Sequence, residues 1–116
     1  MTRRSQRLRL LDIAEQIAAI DTALAGRTEA DMLADWLLRH AIERGIEIIS
    51  DASRHLDPAL KASHSEVPWQ RVADIGNWLR HAYDRIEPAL IVGVVTGHFP
   101  VMRAAVADML ANTVED

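Results

Sequence analysis

Cysteine is absent from this 116-residue chain, which excludes a disulfide framework and any thiolate metal site. Aromatic residues make up only 4% of the chain, so alanine, leucine and isoleucine supply most of the apolar side chains. That composition favours helices over sheets, because alanine and leucine are among the best helix formers. The lack of cysteine also suits a reducing cytoplasm, where we expect the protein to act.

Basic residues are fewer than acidic ones. The chain has 13 basic and 17 acidic residues, and its formal net charge is −4. This balance argues against a generally basic nucleic-acid-binding protein, but it leaves room for a local basic patch. Every basic residue except Lys61 is arginine. Arginine binds phosphate and carboxylate groups in a bidentate fashion, although a bias in genomic composition explains the same usage.

Long apolar runs are also lacking. No run approaches the ~20 residues of a membrane span, so we expect no membrane insertion. The arginine-rich beginning has the charge of a signal peptide, but Asp12, Glu15 and Asp21 interrupt the apolar region that should follow it.

The length predicts a single domain covering residues 1–116. We expect an arginine-rich arm at residues 1–7 and a flexible tail at residues 113–116. Two interpretations of the arm stay open. It is either a solvated terminus or a basic segment near RNA or an acidic partner.

Apolar residues at alternating spacings of three and four predict a first helix from about Ser5 to Ala25, capped by Gly26. A second helix is predicted to run unbroken from Glu29 to His55. Its Gly45 leaves room for a neighbouring helix to approach closely. The apolar seam of the first helix consists of Leu10, Ile13, Ile17, Ile20 and Leu24.

Proline and glycine divide the rest of the chain. Residues 57–68 are predicted to form a loop with a short helical turn at 59–63. Residues 89–96 are apolar and β-branched, but a lone strand would have no partner, so we predict a buried helix that ends at Gly97. Phe99 and Pro100 then begin the last helix. These elements predict an all-α fold, a four-to-five-helix up-and-down bundle.

The stretch 69–86, WQRVADIGNWLRHAYDRI, has one apolar and one chemical face when it is wound as a helix at about 100° per residue. The apolar arc consists of Val72, Ile75, Leu79, Ala82 and Ile86, and the opposite side carries Asp74, Asn77, His81 and Arg85. An amide, an imidazole, a carboxylate and a guanidinium lie within three turns. Such a face is either a chemical site or an ordinary solvated surface.

Other kinds of site have weaker support. The five histidines are scattered, and no two of them have the i, i+4 spacing of a helical metal site. Serine, histidine and aspartate are all present, but nothing marks the strained turn of a nucleophile. There is no glycine-rich phosphate loop. We therefore predict no metal and no cofactor.

The pattern Gly76-Asn77-x-Leu79-x-His81-x-Tyr83 resembles the signature helix of the HepT-like branch of the HEPN superfamily. In that branch an arginine, usually followed by asparagine, precedes a histidine by five positions, and a tyrosine follows two residues later. The resemblance extends over most of residues 8–106. It includes 41–52, where Asp51 stands in place of the usual glutamate, the run 67–69, and Phe99-Pro100.

The resemblance implies a metal-independent endoribonuclease, the toxin of a type VII-like toxin–antitoxin pair whose antitoxin is a minimal nucleotidyltransferase. It implies that His81 transfers protons during RNA cleavage, with Asn77 beside it, in a homodimer that presents two copies to one cleft. It also implies that Tyr83 accepts AMP groups from the partner. Because Tyr83 lies at the edge of the apolar arc, its ring is equally expected to contact the core.

Gly76 departs from the family pattern, since it stands where the arginine is expected. Arg80 lies one turn later, and helical side chains lean toward the N-terminus. Two interpretations of Arg80 therefore stay open: it lies back over Gly76 and supplies the missing charge, or it pairs with Asp84 or Asp74 at the surface. The alternative function is a catalytically weak binding module that keeps only the dimer and partner contacts.

Overall fold

The computed structural model describes residues 5–81 and 87–112, and no strand occurs in these two ranges. The prediction of an all-α fold is confirmed. Four long helical segments form the bundle, and two short helices connect them. In chain order the elements are α1 (Gln6–Leu24), α2 (Glu29–Ala34), α3 (Trp36–Arg54), α4 (Pro58–Ala62), α5 (Trp69–His81), α6 (Pro88–Gly93), a π-helical turn (Val94–His98) and α7 (Phe99–Asn112).

Helix α3 lies at the centre of the bundle, because it packs against both α1 and α5, while α1 also packs against α7. A Cβ atom added at Gly45 would lie 2.5 Å from Cδ1 of Ile20. The predicted close approach of a neighbouring helix at Gly45 is therefore confirmed, and the neighbour is α1. The predicted seam of α1 is buried except at Leu24, which is half-buried.

Hydrogen bonds fix the beginning of α1. The Ser5 hydroxyl accepts from the backbone N–H of Leu8 at 3.0 Å, which caps the helix. The next residue, Gln6, is buried, and its side chain donates to the carbonyl of His55 at 2.9 Å and accepts from the N–H of Asp57 at 2.7 Å. These two bonds hold the first turn of α1 against the end of α3. At the other end Gly26 has φ 75°, as expected for a glycine that caps a helix.

The prediction of one unbroken helix from Glu29 to His55 is wrong. The chain leaves the helix at Asp35, whose backbone is extended at φ −89° and ψ 104°. Its carboxylate accepts from the N–H of Leu38 at 3.0 Å and from the Arg27 guanidinium at 3.2 Å. Asp35 therefore caps a new helix, and this local bond competes successfully with continuation of the helix.

The prediction that a helix ends at Gly97 is also wrong. The backbone stays helical from Pro88 to Asn112 and widens into the π-helical turn around Gly97. By length and composition alone this 25-residue run could cross a membrane, a test that the core helix of a soluble protein also passes. Its apolar residues also supply the core, where Phe99, Met102 and Met109 are almost completely buried.

Candidate active site

Helix α5 presents the predicted chemical face to solvent. Its apolar arc is buried at Val72, Ile75 and Leu79, whereas Asn77, Arg80 and His81 are exposed on its last two turns. The Nη2 atom of Arg80 donates to Oδ1 of Asn77 at 3.3 Å. The predictions for Ala82, Tyr83, Arg85 and Ile86, and the predicted pair with Asp84, lie outside the described residues.

Gly76 makes the closest contact between α5 and α3. A Cβ atom added there would lie 2.0 Å from Oγ and 2.2 Å from Cβ of Ser50, which is fully buried. The Ser50 hydroxyl donates to the carbonyl of Ala73 at 3.0 Å. Arg54 donates to the same carbonyl at 3.1 Å. The two helices therefore pack through small side chains, and an arginine does not fit at position 76 in this arrangement.

The expectation that Arg80 lies over Gly76 is wrong in its geometry, because Ser50 covers Gly76. Arg80 instead turns toward Asn77 and borders a cavity of about 160 Å³ between α1, α3 and α5. Two further arginines reach this cavity, Arg9 from α1 and Arg44 from α3. Reasoning from the sequence did not select them, because they lie far from the signature helix along the chain.

Asn77 lines a second, larger cavity. It measures about 380 Å³ and lies between α3, α4 and α5. Polar and charged side chains supply most of its lining, among them Arg54, Lys61 and Gln70. Trp69 contributes one aromatic wall, and its indole N–H donates to the carbonyls of Lys61 and His64, both at 3.1 Å. Asn77 therefore lines the larger cavity, and its hydrogen-bond partner Arg80 lines the smaller one.

A serine, a histidine and an aspartate do come together elsewhere. The Nε2 atom of His64 lies 2.7 Å from Oδ2 of Asp108, and its Nδ1 atom lies 3.0 Å from Oγ of Ser63. The Ser63 hydroxyl donates its single proton to the carbonyl of Leu60 at 2.6 Å. It is therefore not activated as a nucleophile, and the three residues connect α4 to α7 instead.

The remaining ionisable groups do not assemble a metal site. Within the described ranges no three histidine, aspartate or glutamate side chains are placed to hold a metal ion. His98 is half-buried beside the core, and burial lowers its pKa, with a smaller contribution from the positive charge of Arg71.

Comparison with known proteins decides the family. The model of the family described as "Ribonuclease HepT-like" matches residues 13–109, which include every helix from α2 to α6. The chain belongs to the HepT-like ribonuclease family. No solved structure matches it.

Relatives in this family agree with the assignment. A "Probable ribonuclease HepT" of Thermococcus cleftensis is 31% identical over 101 residues, which cover 87% of this chain and 92% of that protein. A protein of Caldanaerobacter subterraneus subsp. tengcongensis, whose name is "Putative RNase", is 29% identical over 69% of this chain and 71% of its own. Another "Putative RNase", from Methanocaldococcus jannaschii, is 26% identical over 91% of this chain and 97% of that protein.

Proposed function

We propose that this HepT-like protein is a metal-independent endoribonuclease whose active site is built on Asn77, Arg80 and His81. The observation that carries the proposal is the exposed Arg80–Asn77 hydrogen bond, one residue before the exposed His81, on the signature helix of a ribonuclease family. The names of the relatives support the same reaction class.

The chemistry follows from these side chains. The imidazole of His81 takes the proton of a ribose 2′-hydroxyl, a role that histidine commonly has in general acid–base catalysis. The 2′-oxygen attacks phosphorus, the bond to the 5′-oxygen breaks, and a proton from a second imidazole neutralises the leaving oxygen. The products are a 2′,3′-cyclic phosphate and a 5′-hydroxyl. Arg80 stabilises the negative charge that gathers on the phosphorane oxygens.

The second imidazole requires a second copy of the chain, so the proposal includes a homodimer. Trp36 is 66% exposed and Trp78 is 46% exposed, and both offer apolar surface to another protomer. The third tryptophan, Trp69, is half-buried and uses its N–H within the chain. Analytical sedimentation at micromolar concentration should show a dimer, and a species of 12.9 kDa alone would contradict this.

The biological setting is also part of the proposal. The protein acts in the cytoplasm as the toxin of a type VII-like pair, and a minimal nucleotidyltransferase antitoxin silences it by transferring AMP to Tyr83. The family to which the chain belongs and the place of Tyr83 in the signature pattern support this role.

A cleavage assay tests the central proposal. The purified protein should cut an unstructured RNA equally well with and without EDTA, and it should leave cyclic phosphate ends. The same RNA with 2′-O-methyl groups throughout should resist, because it has no 2′-hydroxyl to attack. Activity that EDTA removes would contradict metal independence.

One structural feature favours a second candidate function. Because Ser50 occupies the space beside Gly76, the arginine of the family pattern has no room at that position. A binding module that keeps the dimer and partner contacts, with little or no catalysis, fits this departure. Absence of RNA cleavage, together with stable binding to a nucleotidyltransferase, would establish the second function over the first.

A further inference from the structure

Three arginines from three different helices converge on the cavity beside the signature helix. Arg9 reaches it from α1, Arg44 from α3 and Arg80 from α5, and the cavity holds about 160 Å³. The bonds of Gln6 to the end of α3 hold the first turn of α1 in place, so that Arg9 follows beside α3. The packing of three helices therefore places this charge cluster.

One of these guanidinium groups is incompletely satisfied. The Nε atom of Arg9 is buried and has no hydrogen-bond partner among the described residues. A buried donor without an acceptor costs free energy, and natural proteins seldom leave one without a reason. An acceptor oxygen that entered the cavity would remove this cost and would bring negative charge close to a fixed positive charge.

The other two arginines retain capacity to donate. The Nη1 atom of Arg44 lies 3.3 Å from a carboxylate oxygen of Glu47, and Arg44 is 71% exposed. Arg80 uses one nitrogen on Asn77. Since a guanidinium carries five N–H donors, these bonds leave donors that a phosphate group can engage in bidentate fashion.

Acidic residues line the same cavity and narrow the choice of ligand. Asp12, Glu47 and Asp51 line the cavity together with the three arginines. A simple polyanion meets repulsion from these carboxylates. A ribonucleotide unit does not face the same conflict, since its phosphate accepts from arginine while its 2′-hydroxyl can donate to a carboxylate. The mixed lining therefore favours RNA.

We propose that this cavity binds one phosphate and the adjoining ribose of an RNA strand, with Arg9 and Arg44 as binding residues next to the site at Arg80 and His81. The proposal rests on the proposed ribonuclease function and extends it. If the proposal is correct, the RNA strand contacts α1 and α3 as well as the signature helix. The protein then binds RNA more tightly than DNA.

Binding without cleavage tests this proposal. In a His81→Ala background, fluorescence anisotropy measures the affinity for a labelled single-stranded RNA and for DNA of the same sequence, in EDTA and at several salt concentrations. Arg9→Gln and Arg44→Gln should each weaken RNA binding about tenfold, as expected for one charge-assisted contact. Each should also reduce the slope of log affinity against log salt by about 0.7.

Arg103→Gln is the matched control, because Arg103 is half-exposed on α7 and pairs with Asp21 away from the cavity. It should bind RNA within about twofold of the parent protein. Arg44 is exposed, so its replacement leaves the fold intact even where Arg9→Gln lowers stability. Circular dichroism verifies the fold of every variant.

Three results would overturn the cavity proposal. The first is that Arg9→Gln and Arg44→Gln both bind RNA as tightly as the parent protein. The second is that the parent protein binds RNA and DNA with equal affinity. The third is that an acidic peptide displaces the labelled RNA at the same concentration as unlabelled RNA does. The proposed nuclease survives any of them if the wild type still cleaves RNA. Conversely, arginine-dependent RNA binding by a wild type that cleaves nothing supports the cavity and rejects the nuclease.

Discussion

A Cβ atom at Gly76 would lie 2.0 Å from Oγ of Ser50, a separation that no real pair of such atoms tolerates. This contact leaves no room for a side chain at position 76. Ser50 and Gly76 form one packing contact between α3 and α5, so neither residue can change size without consequence for the other. Within residues 69–81 of the signature helix, Arg80 is the arginine that contacts Asn77 and precedes His81.

Gly76→Ala should lower the free energy of unfolding by about 1–3 kcal/mol, because the added methyl group overpacks the contact between the helices. Urea unfolding followed by circular dichroism measures the change. Gly93→Ala is the control, since a Cβ atom there meets nothing within 4 Å. Replacement of this helical glycine should be neutral or should stabilise the protein by about 0.5–1 kcal/mol.

A second substitution identifies the cause. Ser50→Gly removes both atoms that crowd position 76 and leaves only the Ser50 Cα, at 3.7 Å. The cost of Gly76→Ala should therefore be smaller in the Ser50→Gly background than in the wild type, which a double-mutant cycle measures. If Gly76→Ala lowered the free energy of unfolding equally in both backgrounds, the contact with Ser50 would not be the cause of the destabilisation.

His81→Ala and Arg80→Ala should each reduce RNA cleavage without changing the fold, since both side chains are exposed on α5. Loss of the general base or acid should cost a factor of about 10²–10⁴. Loss of the guanidinium that stabilises the phosphorane should cost about 10²–10³. Initial rates on a labelled RNA measure both effects.

Arg71→Ala is the matched control on the same helix. Arg71 is exposed two and a half turns before Arg80 and borders an apolar groove with Trp78 and Leu90. The Arg71→Ala variant should cleave RNA at the wild-type rate. Full activity in Arg80→Ala would instead assign Arg80 to surface interactions worth under about 1 kcal/mol.

Tyr83→Phe should cleave RNA like the wild type and should escape inhibition by a nucleotidyltransferase partner with ATP, because the acceptor hydroxyl is gone. We propose that AMP on Tyr83 competes with RNA phosphate for Arg80, because it adds a bulky anion three residues from Arg80 along the chain. Intact-protein mass spectrometry and the cleavage assay measure the two effects. A Tyr83→Phe protein that still gains AMP and is still silenced places the acceptor elsewhere.

The junction between α2 and α3 should make stability depend on acidic pH. The backbone N–H of Thr28 lowers the pKa of Asp31, and that of Leu38 lowers the pKa of Asp35. A carboxylate whose pKa is lower in the folded state contributes stability above its unfolded pKa of about 3.9 and loses it as the pH falls through the folded pKa.

Asp35→Asn keeps an oxygen that accepts from Leu38 but does not titrate. The stability of the wild type relative to this variant should therefore grow as the pH rises from about 3 to about 5 and then level off. Urea unfolding across this range measures the difference. A difference that shrinks with rising pH would contradict the assignment.

The sequence determined the parts of this protein that depend on local periodicity. The spacing of apolar residues placed α1, α5 and the last helix, and it identified Val72, Ile75 and Leu79 as the buried arc of α5. It also separated Asn77 and His81 from that arc, because a helix turns through a fixed angle per residue. These predictions needed no information about neighbouring helices.

Only the tertiary structure decided where residues distant in sequence meet. Gly76 is small because Ser50 of α3 occupies the space above it. Arg9, Arg44 and Arg80 share one cavity because three helices pack side by side. No periodicity along the chain encodes such contacts, since each depends on the distance between helix axes and on which faces are buried together.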